Sequence, residues 1–269
     1  ACVLFKDVDE PPGNDESEKW LAKQTMLTVD KTQEERQNIL ASWTNEYTVA
    51  PKAIALLSTQ HIMPALACAS ALLDGGNAKI QQTVFAFCRD NTDEDFFVQV
   101  RHHLTELRDN LRDRAVFIKR EVASTDSNIA LSDELRARLD RRFSYDMYER
   151  LLKLVQLLCE GHYGDMQEYL REQKDNQVSV NTLEGMASVL ETATKHVDRG
   201  TLPLVLQLLA TMTEVIQGPC FQNQVFFVSQ NVGESLTALM ARTYADLTAE
   251  ETWTLRQQAM TLLLSLLEG

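Results

Sequence analysis

Two helix ends in this sequence carry side chains that could bind a cation. The first reads LLCEG at residues 157–161, where Glu160 follows an apolar run and precedes a glycine. The second reads TEVIQGPC at residues 213–220, where Glu214 and Gln217 are three apart and so share one face of a final helical turn. A carboxylate at a helix C-terminus faces the negative end of the dipole, which costs about 0.3–1 kcal/mol and favours a bound cation. Exposed glutamates in a last turn are also common and mostly bind nothing, so the pattern alone leaves both interpretations open.

The segments that carry these residues have the apolar spacing of helices. Gly218 and Pro219 end the second one, because glycine accepts a left-handed cap and proline cannot continue the helical hydrogen bonds. A long helix is predicted from about residue 96 to 122, with an arginine-rich face that alternates with acids and is expected to be solvated; its arginines are Arg101, Arg108, Arg112 and Arg114. Thr248 and Glu251 form a predicted capping box for the last helix. No run alternates with the period of a strand, so the chain is predicted to be all-α.

A recurring helix end indicates internal repeats. An acid and then glycine close apolar runs at residues 72–75, 157–161 and 266–269. Helices of about 10–20 residues with short turns are typical of an armadillo-like helical solenoid, a superhelical repeat. The period is irregular, so a compact helical bundle remains the alternative.

The predicted domain organisation has three parts. Residues 1–48 form an N-terminal tail and docking helices, residues 49–147 form armadillo-like repeats with a long charged helix, and residues 148–269 form a further helical domain. The chain opens at Ala1 and stops directly after an apolar run, so we expect a fragment of a larger protein.

Composition excludes several classes of partner. The chain has 269 residues with 26 basic and 39 acidic side chains, a net charge of −13, which argues against binding to nucleic acid or an anionic membrane surface. No apolar stretch approaches the roughly 18 residues of a membrane span, so no direct membrane insertion is expected. The five cysteines lie in apolar runs and are odd in number, which favours reduced thiols. Basic residues alternate with acids, so no inositol phosphate site is expected either.

The sequence gives no support for an enzyme. It contains no G-x-S-x-G, no phosphate-binding loop and no H-E-x-x-H. Cys159 and His162 have the spacing of half a zinc site, but no second pair stands at ligand spacing. We therefore predict a protein that is not an enzyme.

Longer stretches resemble a known family. The similar segments are LLKLVQLLCEGHYGDMQEYLREQ (151–173), TMTEVIQGPCFQNQ (211–224) and AMTLLLSLLEG (259–269). They resemble the RIH-associated domain shared by inositol trisphosphate receptors and ryanodine receptors, which identifies 148–269 with that domain. Upstream, ALLDGGNAKIQQTVFAF (71–87) and DEDFFVQV (93–100) resemble the segment that precedes it. The resemblance covers roughly residues 50–269 except 123–147, and it does not extend to the first 48 residues.

This resemblance implies a function and a site. It implies a cytosolic regulatory solenoid of a ligand-gated calcium-release channel, a homotetramer of the endoplasmic reticulum membrane, which couples ligand binding to the pore. In the family, the Glu of LLCE(G/N)H and the Glu and Gln of TE-x-x-QGPC line an activating calcium site. Their counterparts here are Glu160, Glu214 and Gln217. A backbone carbonyl of the C-terminal cytosolic domain completes that site, so the implied partners are this domain and neighbouring subunits of the channel.

Two questions stay open in the sequence. QLLCEGH is closer to ryanodine receptors, whereas the short connection at 198–203 is closer to inositol trisphosphate receptors. The alternative function is a helical-repeat scaffold that binds a partner protein without an ion, and an all-α hydrolase is a remote third. Proximity of Glu160 and Glu214 would favour the channel, whereas a long apolar groove with the carboxylates apart would favour the scaffold.

Overall fold

The apolar stripes of the sequence fold into α-helices. The computed structural model describes residues 49–55, 61–90, 95–122, 130–174 and 179–268, with the isolated positions 33, 35 and 38. These ranges contain helices and turns and no β-strand. Apart from those three positions, the predicted tail and docking helices of residues 1–48 lie outside the described residues.

Twelve α-helices of described extent follow one another along the chain. They are α1 (Val49–Ala55), α2 (Ile62–Leu73), α3 (Ala78–Asp90), α4 (Asp95–Val122), α5 (Asp133–Arg142), α6 (Asp146–Cys159), α7 (Gly164–Arg171), α8 (Thr182–Ala193), α9 (Leu202–Ile216), α10 (Phe221–Ser229), α11 (Val232–Ala241) and α12 (Ala249–Ser265). None of the described helices is both long enough and apolar enough to cross a bilayer.

Nine of these helices form three successive units of three, and α12 begins a fourth. The units are α2–α4, α6–α8 and α9–α11. The first helices α2, α6, α9 and α12 pack side by side, and we call them the first-helix row; α4, α8 and α11 form a second row. Repeated stacking of like units confirms the predicted all-α, armadillo-like helical solenoid.

Apolar residues between the two rows hold the solenoid together. Leu154 and Val155 of α6 and Leu208 and Met212 of α9 are fully buried in one continuous core. Burying a side chain of this size contributes about 1.5–3 kcal/mol, so the packing between units is the main stabilising term.

The predicted helix boundaries hold at several positions with a clear physical cause. The long helix α4 begins and ends within one residue of the expected bounds. At α12 the Thr248 hydroxyl accepts from the Glu251 N–H, while the Glu251 carboxylate accepts from the Thr248 N–H, which confirms the capping box.

The expectation for the arginine face of α4 is wrong at one position. Arg114 is only 3% exposed, because it reaches inward and forms an ion pair with Asp198 in the turn before α9. Its Nη2 donates to Asp198 Oδ1 at 2.9 Å. The alternation of charges along α4 gave no sign of this pair, because its acidic partner is 84 residues away in sequence.

Candidate metal site

The Glu160 turn closes α6. The helix ends at the buried Cys159, and Glu160 leaves the helical conformation with φ −54° and ψ 138°. Gly161 then adopts φ 75°, a left-handed conformation that glycine reaches without steric cost, and His162 follows at φ 64°. The turn therefore holds the Glu160 side chain half-buried at the C-terminal edge of the helix.

One oxygen of the Glu160 carboxylate lacks a hydrogen-bond partner. Oε2 is inaccessible to solvent and accepts no hydrogen bond from any described residue. The aliphatic part of the side chain lies against the preceding unit, since a Cβ added to Gly76 would be 3.3 Å from Glu160 Cγ. A buried acceptor left unsatisfied costs about 1–3 kcal/mol, more when it is charged. A cation would satisfy this oxygen, so Glu160 fits the role of a metal ligand.

The second turn closes α9 in a similar way. Glu214 lies in the last helical turn, Gln217 is the first residue beyond the helix, and both are half-buried. Gly218 follows at φ 109°, which confirms the predicted stop. The Gln217 amide nitrogen donates to Ser265 Oγ at 3.5 Å, which leaves the amide oxygen as an acceptor.

The structure brings the two turns together. Helices α6 and α9 are neighbours in the first-helix row, and a Cβ added to Gly218 would lie 2.7 Å from the Cβ of His162. Burial raises the pKa of the Cys159 thiol, and the nearby negative charge of Glu214 raises it further. The contact between Gly218 and His162 therefore brings the ends of the two helices that carry Glu160 and Glu214 next to each other.

Two buried glutamines position these turns, and sequence analysis missed them. The Gln81 amide nitrogen donates to the carbonyl oxygens of Leu157 and Glu160, at 2.9 and 2.8 Å. Gln167 donates in the same way to Glu214 and Gln217, at 2.7 and 2.9 Å.

A third buried glutamine makes the same pair of hydrogen bonds one unit further along the solenoid. Gln224 donates to the carbonyl oxygens of Ser265 and Glu268, at 2.8 and 2.6 Å. In each case a glutamine of the second helix of one unit holds the end of the first helix of the next unit. We call Gln81, Gln167 and Gln224 the amide ladder.

The amide ladder has a sequence signal that could have revealed it. Each of its glutamines stands six residues after a glycine that ends a first helix: Gly75, Gly161 and Gly218. All three glycines have a positive φ, between 75° and 109°. The spacing places the amide one turn into the second helix, where it reaches the neighbouring helix end.

The chemistry of this donor set suits a hard cation but is incomplete. Two carboxylates and one amide oxygen are oxygen ligands of the kind that calcium prefers, but calcium takes six to eight oxygens. Among the described residues, no group of three or more His, Cys, Asp or Glu side chains could hold a metal ion. Any ion here would need further oxygen ligands.

Comparison with known proteins finds a family whose sequence model matches the part of the chain that carries both turns. Residues 143–240 match the sequence model of the family described as "RyR and IP3R Homology associated". The chain therefore resembles the RIH-associated region of inositol trisphosphate and ryanodine receptors. The inositol 1,4,5-trisphosphate receptor itr-1 of Caenorhabditis elegans is 33% identical over 137 residues, which cover 46% of this chain. The match spans 5% of the length of that receptor. Both turns of the candidate site, with Glu160, Glu214 and Gln217, lie inside the RIH-associated match.

Proposed function

We propose that this chain is a regulatory solenoid segment of a ligand-gated calcium-release channel, and that Glu160, Glu214 and Gln217 contribute to an activating calcium site. The observation that supports this most strongly is that the family match over 143–240 contains both turns. The buried, unpartnered Oε2 of Glu160 supports the metal part of the proposal independently of that match.

The side chains on these two turns account for part of a calcium shell. Glu160 and Glu214 supply carboxylate oxygens and Gln217 supplies one amide oxygen, about three to five ligands in all. Bound calcium would neutralise the two carboxylates and join the ends of α6 and α9. With an incomplete shell, the isolated chain should bind calcium only at about 10⁻⁴–10⁻³ M or more weakly.

The missing ligands give the site its regulatory role. We propose that a backbone carbonyl of the C-terminal cytosolic domain of the same channel completes the shell. Because the full site exists only when the two parts meet, calcium binding favours the channel state that brings them together. The solenoid then couples ligand binding elsewhere in the channel to the pore.

The proposed setting follows from the same family. The channel would be a homotetramer in the endoplasmic reticulum membrane, with this segment on the cytosolic face. Its partners would be the C-terminal cytosolic domain and neighbouring subunits. Neither a catalytic role nor nucleic-acid binding is proposed, in keeping with a net charge of −13.

Conservative substitutions test the site. Glu160→Gln and Glu214→Gln keep the shape and remove one charge each, so terbium binding followed by luminescence should weaken about tenfold or more. Glu184→Gln, which removes a charge from the exposed side of α8, is the matched control and should leave terbium binding unchanged. In the full-length channel, both site variants should shift calcium activation in single-channel recordings to higher concentration.

Two results would contradict the proposal at different points. Absence of terbium binding by the unmodified chain would contradict the proposed metal site. Unchanged calcium activation in both site variants would remove the regulatory role even if the metal binds. The scaffold function would then be favoured, and exposed apolar side chains on α10 and α12 give it a specific basis.

A further inference from the structure

Exposed apolar side chains are concentrated at one end of the solenoid. Of the eight large apolar side chains that are exposed in the described part of the chain, six lie on α10 and α12 and a seventh lies in the turn directly after α12. They are Phe221, Val225, Val228, Trp253, Met260, Leu264 and Leu267, and we call them the apolar end face. The eighth, Val116, lies on α4. A concentration of this kind marks an interaction surface rather than the scattered exposure of ordinary surfaces.

The repeat itself shows what normally covers such positions. The amide ladder aligns α12 with α9, because Gln224 holds Ser265 and Glu268 as Gln167 holds Glu214 and Gln217. In this alignment every α12 residue is 51 positions after its α9 counterpart. The counterparts of Trp253, Met260, Leu264 and Leu267 are Leu202, Leu209, Thr213 and Ile216. All four counterparts are buried, at 7% exposure or less.

Geometry indicates that the next unit buries them. The hydroxyl of Thr211 in α9 donates to the Leu152 carbonyl oxygen in α6, so this side of α9 faces the preceding unit. At 100° per residue, Leu209 and Thr213 are each about 160° away from Thr211 around the helix. They therefore face the other neighbour in the first-helix row, α12. In each earlier unit, the corresponding side of the first helix packs against the first helix of the next unit. On α12 this side is exposed.

The second helix of the unit follows the same rule. The amide ladder aligns Val228 of α10 with Phe85 of α3, because each is four residues after its glutamine. Phe85 packs edge-on against Tyr163 and Tyr169 of the next unit, with ring centroids 5.9 and 5.4 Å apart. Val228 occupies the position that the following unit covers, yet it is 58% exposed.

The direction of a partner helix follows from the row. The C-terminal ends of α9 and α12 meet where Gln217 donates to Ser265. Their N-terminal ends meet where Arg199 and Glu251 form an ion pair at 3.4 Å. Adjacent first helices are therefore parallel and in register.

We infer that the apolar end face is the docking site of a further α-helical repeat, whose first helix packs parallel to α12 and whose second helix covers Val228. A second copy of this chain is a poorer occupant. Head-to-tail stacking of a second copy lacks a matching surface, because the described residues of α1–α3 expose no large apolar side chain. The occupant is a distinct repeat with an apolar stripe at helical spacing.

Site-specific photo-cross-linking in cells that make the protein at its natural length tests this inference. The probe is p-benzoylphenylalanine in place of Trp253, and the matched control carries it in place of Val116, an exposed apolar residue away from the end face. Mass spectrometry of the products should find about tenfold more cross-linked protein at position 253. The peptide reached should carry apolar residues at i, i+3, i+4 and i+7. Adding Leu264→Glu to the probe variant should reduce the yield to that of the control.

Three results would overturn the inference. They are a yield at position 253 no higher than at position 116, cross-links between α12 helices of two copies, and cross-links to lipid or to a segment without helical apolar spacing. Sedimentation of the purified chain supplies a second check. The chain should remain monomeric, and a dimer that Leu264→Glu dissolves would assign the face to a second copy.

Discussion

Gly218 shows how a single residue fixes the candidate site. Its φ of 109° excludes most side chains, and a Cβ there would overlap His162 at 2.7 Å. Gly161 also has a positive φ of 75°, but a Cβ there would meet no atom within 4 Å. The two glycines therefore separate the effect of backbone strain from the effect of close contact between the turns.

Substitution by alanine should reveal this difference. Gly161→Ala should lower the free energy of unfolding by about 1–2 kcal/mol, the cost of a left-handed alanine. Gly218→Ala should lower it by about 3 kcal/mol, because strain and overlap with His162 add. Urea unfolding followed by circular dichroism measures both, and equal losses would show that the two turns are not in tight contact.

His196 links stability to pH. Burial lowers the pKa of this imidazole below its ordinary value, and the positive charges of Lys119, Arg242 and Lys195 lower it further. The unfolded chain therefore binds this proton more readily than the folded one. The contribution to stability is fully present above the ordinary pKa of about 6.5 and decreases as the pH falls below it.

Replacing the imidazole should remove this dependence. His196→Gln cannot titrate, so its midpoint of urea unfolding should fall less between pH 7.5 and 5.5 than that of the unmodified chain. Substitution of the exposed His102, whose ring lies near Glu106 on α4, serves as a comparison. A variant with the same pH dependence as the parent would mean that other groups dominate acid destabilisation.

At the scale of helices, the amide ladder joins each unit to the next. Each glutamine satisfies two carbonyl oxygens that a helix end would otherwise leave without partners. Gln81, Gln167 and Gln224 are at most 4% exposed, so water cannot substitute for the amide. Gln167→Leu and Gln224→Leu should each destabilise the chain by about 1–3 kcal/mol.

The two leucine variants should differ in metal binding. Gln167 holds the turn that carries Glu214 and Gln217, whereas Gln224 holds the equivalent turn of α12. Gln167→Leu should therefore weaken terbium binding, while Gln224→Leu should lose similar stability and keep the same terbium affinity. Equal terbium affinities in these two variants would show that the hydrogen bonds of Gln167 do not position the ligands of the candidate metal site.

The elements show which parts of the fold the sequence could predict. Helices, the stop at Gly218 and the capping box at Thr248 depend on neighbours within a few residues, so local spacing was enough. The ladder escaped because Gln81 and its acceptor at Leu157 are 76 residues apart. The ion pair of Arg114 with Asp198 was not predicted either, because these two residues are 84 positions apart in sequence. The six-residue spacing from glycine to glutamine is present three times in the sequence, but only the structure shows which carbonyl oxygens the three amides bind.

The candidate site was predicted in part. Glu160, Glu214 and Gln217 came from a family motif, and the structure adds that their two turns adjoin. Neither the unpartnered oxygen of Glu160 nor the contact between Gly218 and His162 has a local sequence signal, because each depends on how α6, α9 and the turn at Gly76 are packed. Their role in calcium binding stays a prediction.

At the scale of the whole molecule, charge pairing opposes the binding of inositol trisphosphate. Several arginines already have acidic partners, such as Arg138 with Glu121 at 2.7 Å and Arg150 with Asp146 at 3.0 Å. A polyphosphate needs several convergent basic donors. Calorimetric titration of the chain should therefore detect no binding of inositol trisphosphate, and micromolar binding would contradict this prediction.

The amide ladder also has a mechanical consequence for the solenoid. Hydrogen bonds are short and directional and break after a small displacement, whereas apolar side chains can slide over one another with little loss. The edge of the solenoid that carries the ladder should therefore resist stretching. When the solenoid bends, the distance between neighbouring units should increase on the opposite edge. A force applied to one end of the solenoid would then rotate the units about the edge that carries the ladder. The spacing between the turns of α6 and α9 would be preserved.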